Sequence, residues 1–85
     1  MEYIVVAFRS RAHTVKFYGF LEQNKIKSEI INTPKEAGVG CGLSVKLPYS
    51  MLEIVKKAIS ITALPSFAGV FRVKNVGGSI LIRSI

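Results

Sequence analysis

The sequence predicts an α+β domain: a two-layer sandwich of order strand, helix, strand, strand, helix, strand, with a short C-terminal extra strand. Two β-branched and aromatic runs, Tyr3 to Phe8 and Ala68 to Lys74, read as strands. Leu43-Ser44-Val45-Lys46-Leu47 alternates apolar and polar residues with the period of a half-buried strand. Two further stretches, residues 11–23 and 51–61, carry apolar residues at helical intervals. With 85 residues the chain has enough length for one two-layer core and too little for a second, so residues 1–85 form a single domain.

The first run, Tyr-Ile-Val-Val-Ala-Phe over residues 3–8, is continuous enough for a central strand covered on both faces. Ser10 is placed to cap a helix over 11–23, in which Val15, Phe17, Tyr18, Phe20 and Leu21 form an apolar stripe while Arg11, Lys16, Glu22 and Gln23 face water. Gly19 in that helix predicts close packing against a neighbouring element. Asn24-Lys25 ends the helix, and residues 27–32 give a second strand around Ile30 and Ile31. Thr33 and Glu36 have capping-box spacing with Pro34 suited to the first helical position, which predicts one helical turn before Gly38, Gly40 and Gly42 interrupt it. After the third strand, 43–47, Ser50 and Glu53 repeat the capping-box spacing ahead of a second helix built on Met51, Ile54, Val55, Ala58, Ile59 and Thr62. Leu64-Pro65-Ser66 is a loop, 68–74 the fourth strand, and Asn75-Val76-Gly77-Gly78 a turn. Ser79 to Arg83 then extends the sheet through Ile80 and Ile82, or joins a homodimer interface.

This order is the split β-α-β arrangement of ferredoxin-like folds, with both helices on one face. The first two strands then run the same way, so the end of the first, the start of the first helix and the loop between strands two and three meet at one edge. Cys41 is therefore expected near Ser10.

Hydrophobic residues make up 49% of the chain, yet no apolar run approaches the roughly 20 residues of a bilayer span. The first run follows Glu2 instead of a basic segment and lacks a small-residue cleavage site, so it reads as a strand and not a signal peptide. A soluble, cytoplasmic protein with no membrane partner is expected. The single cysteine cannot form an internal disulfide, which fits a reducing compartment. His13 is the only histidine and the five carboxylates are scattered, so no metal and no cofactor is expected. A formal charge of +7 attracts anionic partners of any class. No stretch matches the Lys/Arg-Gly-aromatic core of RNA-binding sheets, so nucleic acid is not expected and Tyr3 and Phe71 read as core aromatics.

Cys41 is the candidate for chemistry. Topology brings it toward Arg9, Arg11, His13 and the positive end of the first helix's dipole, and such surroundings favour the nucleophilic thiolate. Glycines on both sides present it on open backbone, while the alternative is a small buried hydrophobe. Ser10, Arg9, Arg11, Lys35, Gly40 and Gly42 are the candidates for holding an anionic substrate or an acidic partner. His13 is either the charge partner of the thiol or a solvated helix residue.

The stretch Pro34-Lys35-Glu36 followed by Gly40-Cys41-Gly42-Leu43, with Phe8-x-Ser10 before a helix, resembles a family of short bacterial proteins described as selenium or sulfur carrier-like, formerly a domain of unknown function. The resemblance covers about residues 3–73. The family pattern is Pro-Arg-Glu, then Ser-rich residues, then Cys-Gly, so Pro34, Glu36, Cys41 and Gly42 match and Lys35 stands for the arginine. Gly38 and Gly40 stand where hydroxyl residues are common, which removes donors to an anion or persulfide. The resemblance implies a carrier and not a turnover enzyme: Cys41 takes a chalcogen from a donor protein as a persulfide-type adduct and passes it to an acceptor protein by thiol exchange. The other reading is a small interaction or regulatory module, dimeric or binding an acidic partner, in which Cys41 is structural.

Overall fold

The computed structural model describes residues 2–38 and 41–85. Among these the chain forms β1 (Glu2–Phe8), α1 (Arg11–Gln23), β2 (Glu29–Asn32), β3 (Leu43–Pro48), α2 (Leu52–Thr62), β4 (Phe67–Val76) and β5 (Ser79–Ser84). It is a small mixed α+β domain whose five strands make one sheet of order β2-β3-β1-β4-β5, with every neighbouring pair antiparallel. Because β3 runs against both β1 and β2, those two run the same way, and α1 carries the chain from one to the other.

β1 is the centre of the sheet, and its apolar run is buried on both faces. Ile4, Val6 and Phe8 join Phe17 and Leu21 of α1, Val45 and Leu47 of β3, Val55 and Ala58 of α2 and Val70 of β4 in the core beneath the helices. By the two-residue period of a strand, Val5 and Ala7 point the other way, where they cluster with Phe71 and Val73 and are flanked by Tyr3, Ile31, Ala37 and Ile82. Both helices thus cover one face.

α1 starts after Ser10, whose extended backbone and side-chain oxygen, 3.3 Å from the His13 N–H, form the expected cap. Its buried stripe is Thr14, Phe17 and Leu21, and Val15 is 50% exposed. Val15 lies roughly a third of a turn from the axis of that stripe at about 100° per residue, so it faces water despite its side chain. Among the described residues nothing outside the helix's own backbone comes within 4 Å of where a Cβ on Gly19 would stand, so close packing does not explain that glycine. Gly19→Ala is accordingly expected to stabilise the domain by about 1 kcal/mol, read as a higher urea midpoint at an unchanged denaturant slope.

Neither capping box forms. The Thr33 hydroxyl instead bonds Ser44 Oγ at 2.7 Å across the β2–β3 hairpin, and Pro34 is the cap residue of the 3-10 turn Lys35–Ala37, with no side-chain cap bond. A second 3-10 turn, Tyr49–Met51, follows Pro48 and takes in Ser50, so α2 begins at Leu52 with Met51 as an uncapped boundary residue. Within α2, Ile54 is 41% exposed while Val55 and Ala58 carry the buried face. β2 begins at Glu29, opposite Lys46, and not at Lys27: two residues further along the register stands Pro48, which has no N–H to offer a partner. β4 and β5 are longer than their apolar runs because Gly77 and Gly78, at φ +54° and +83°, form a tight two-residue turn that zips Val76 against Ser79.

At the far end of β1, Glu2 accepts from Arg72 Nε at 2.9 Å and Nη2 at 2.6 Å, with Lys74 Nζ at 3.6 Å. The Arg72 hydrogen bond is the main reason the Glu2 carboxyl titrates below its ordinary value of 4.5. A carboxyl with a depressed folded pKa stabilises fully above its unfolded value and loses that contribution as pH falls through the folded one. Glu2→Gln is therefore expected to flatten the acid limb of a stability-against-pH curve below about pH 4.5 and to change little at neutrality, a small effect because the pair is solvated.

Candidate functional site

The loop between β2 and β3 closes on itself where Thr33 N–H donates to Gly42 C=O at 2.8 Å, and Gly42 sits at φ +97°, which only glycine adopts without strain. Next to it, Cys41 N–H donates to the carbonyl of Phe8 at 3.1 Å. That bond ties the cysteine to the end of β1, beside the start of α1, as the parallel course of β1 and β2 requires.

Cys41 is half-buried and unpaired in any disulfide. Its Sγ lies 3.7 Å from Thr14 Oγ1 and 3.7 Å from the Leu43 carbonyl. Thr14 is fully buried, and its Oγ1 is also 3.3 Å from the carbonyls of Ser10 and Leu43. One hydroxyl has a single proton and two lone pairs, so Thr14 can accept from a Cys41 thiol while donating to a carbonyl, or donate to an anionic sulfur. Among the described residues these are the hydrogen-bonding neighbours of Sγ.

His13 turns elsewhere. Its Nδ1 is 2.6 Å from Ser66 Oγ, which also accepts from Ser10 N–H at 3.2 Å, while Arg9 N–H donates to the Ser66 carbonyl at 2.8 Å. Ser66 therefore pins the loop after α2 onto the first turn of α1. Arg9, Arg11 and Lys35 are exposed, and none forms an ion pair among the described residues. Gly40 lies outside the described residues. Among the described residues no three of His, Cys, Asp and Glu come close enough together to hold a metal ion, and no helix is long and apolar enough to cross a membrane.

Sequence reasoning missed Thr14 and Ser66. Thr14 had a signal, since it shares the helix face of Phe17 and Leu21 and stands four residues after the cap, where its hydroxyl reaches the Ser10 carbonyl. Ser66 had none locally, because only the pairing of Phe8 with Phe67 brings it to α1.

The family model described as Putative Se/S carrier protein-like matches residues 2–65. The chain belongs to this family. For the Se/S carrier-like assignment the decisive point is coverage: the match runs from β1 through α2 and includes the whole Cys41 loop. It ends before the 3–73 suggested by the motifs, so the β4–β5 hairpin lies outside the matched residues. No curated protein and no solved structure matches the chain.

Proposed function

We propose that this Se/S carrier-like chain carries sulfur or selenium on Cys41 in the cytoplasm, taking it from a donor protein and delivering it to an acceptor thiol. The observation that carries the reading is the family match across the loop that holds the only cysteine. In the loading step the Cys41 thiolate attacks the terminal sulfur of a donor persulfide, R–S–SH. The Sγ–S bond forms as the donor's S–S bond breaks, the donor leaves as R–S⁻, and Cys41 holds –S–SH with no net oxidation. Delivery repeats the step with Cys41 as the leaving thiolate. Thr14 Oγ1 is within reach to donate to the sulfur when it bears negative charge. Arg9, Arg11 and Lys35 provide an exposed positive surround for an anionic substrate or an acidic partner face, and Ser10 and Gly42 shape the helix end and loop that receive it, with Gly40 a further candidate from the sequence.

The order β2-β3-β1-β4, with both helices on one face, supports a ferredoxin-like scaffold to which β5 is an addition. The test is intact-mass analysis after incubation with a small persulfide donor. The native protein should gain one sulfur atom, removable by a reducing thiol. A Cys41 that reacts only after unfolding would sink the carrier reading and leave the interaction-module reading in its place.

A further inference from the structure

β5 forms one border of the sheet, and among the described residues its outer edge has no partner strand. The tight turn at Gly77-Gly78 and the 2.9 Å bond from Ile85 N–H to Val70 C=O set the phase: odd-numbered residues of β5 direct their backbone groups to β4. Ile80, Ile82 and Ser84 therefore present theirs outward. The opposite border, β2, is only four residues long and offers a much shorter template.

The two faces of this hairpin differ in chemistry. Arg72 stands opposite Ile4, on the helix-bearing face, so Lys74, Leu81 and Arg83 share that face with it. Together they line a shallow hollow of about 240 Å³. Arg72 and Arg83 are directly paired across the strands, an arrangement that costs stability when the charges are alike. Glu2 is shared by Arg72 and Lys74, and Arg83 has no carboxylate within ion-pair distance among the described residues. On the other face the hairpin shows Ile80, 44% exposed, and the partly buried Ile82, while Leu81 on the charged face is 55% exposed.

We propose that the β5 edge is a docking site for an extended segment of a partner protein with alternating acidic and aliphatic side chains, which adds to the sheet as a sixth strand. Backbone bonds to Ile80, Ile82 and Ser84 hold it, its carboxylates meet Arg83, the β5 cation that Glu2 does not engage, and its aliphatic residues continue the face of Ile80 and Ile82. A second copy of this chain fits less well, because two chains of formal charge +7 would meet with an Arg83 from each on the same face of the seam. The site lies away from Cys41 and outside residues 2–65, so it stands or falls independently of the carrier chemistry.

The test uses a short labelled peptide of alternating Glu and Val, a Lys-for-Glu counterpart, and a Glu peptide N-methylated along one edge, titrated into the full chain at low salt. The Glu peptide should bind about tenfold or more tightly than the Lys peptide, since the exchange replaces attraction to a cationic chain by repulsion, and should weaken as salt rises. N-methylation should abolish binding, and the exposed substitution Arg83→Glu should reverse the preference between the Glu and Lys peptides. The amides of Ile80, Ile82 and Ser84 should gain hydrogen-exchange protection on binding. Equal binding of both charge types, no binding of either, or survival of binding after N-methylation overturns the proposal. So does a free protein that sediments as a dimer with those amides already protected, which would give the edge to a second copy.

Discussion

Cys41→Ser is expected to abolish sulfur uptake, the largest functional change any single substitution in this chain should produce. No second thiol exists to substitute for it, and a serine hydroxyl is not ionised at neutral pH to attack a persulfide. The informative comparison is with Thr14→Val, which keeps the buried shape and removes the hydroxyl beside Sγ. A hydrogen bond to a charged group is worth about 1.5–3 kcal/mol and the 3.7 Å contact favours the low end, but a sulfur that loses its donor also becomes a stronger nucleophile, so loading should slow only severalfold without stopping. His13→Ala should load at nearly the native rate, since its ring bonds Ser66 and not the sulfur. Time courses of mass gain, with circular dichroism confirming that each variant is folded, separate the three outcomes. A Cys41→Ser protein that still gains sulfur, or a His13→Ala protein slowed more than Thr14→Val, would contradict the assignment of roles.

The parts of the fold that were legible are those in which local chemistry and tertiary packing agree. Ser10 caps a helix because its side chain meets a free N–H three residues on, and Val45 and Leu47 of β3 reach the core as their alternation predicts, although Ser44 on the opposite face is also fully buried, bonded to Thr33. The capping boxes at Thr33 and Ser50 were illegible for opposite reasons. Thr33 found a better partner, Ser44, across a hairpin that spacing does not encode, and Ser50 was drawn into the 3-10 turn that begins after Pro48. Thr14 and Val15 exchange the places their hydropathy suggests, because a threonine whose hydroxyl reaches helix and strand carbonyls can be buried where a valine on the next bearing faces water. At the site, the approach of Cys41 to α1 follows from strand direction alone. The engagement of His13 by Ser66 depends on the register between β1 and β4, a long-range fact with no local trace.

Phe17→Ala carries the largest expected loss of stability. Phe17 is fully buried, its ring centroid is 5.2 Å from that of Phe8, and Phe8 in turn packs on Phe67 at 5.9 Å. Truncation loses the transfer energy of the ring and leaves a cavity that α1 and β1 can only partly close, together about 3–5 kcal/mol. A domain of this size has a total stability of about 4–13 kcal/mol at 0.05–0.15 kcal/mol per residue, so the loss is a large share of the whole and the urea midpoint should fall steeply. Phe17→Leu, which keeps most of the apolar volume, should lose much less, and Val15→Ala on the exposed side of the same helix should fall within about 0.5 kcal/mol of native. Urea unfolding at matched slopes measures all three. The consequence reaches the site, because the carbonyl of Phe8 accepts the Cys41 N–H and α1 carries Thr14 to the sulfur. If Phe17→Ala cost less than about 1 kcal/mol, α1 would not be seated on β1 as described, and Thr14 could not be the residue that faces Cys41.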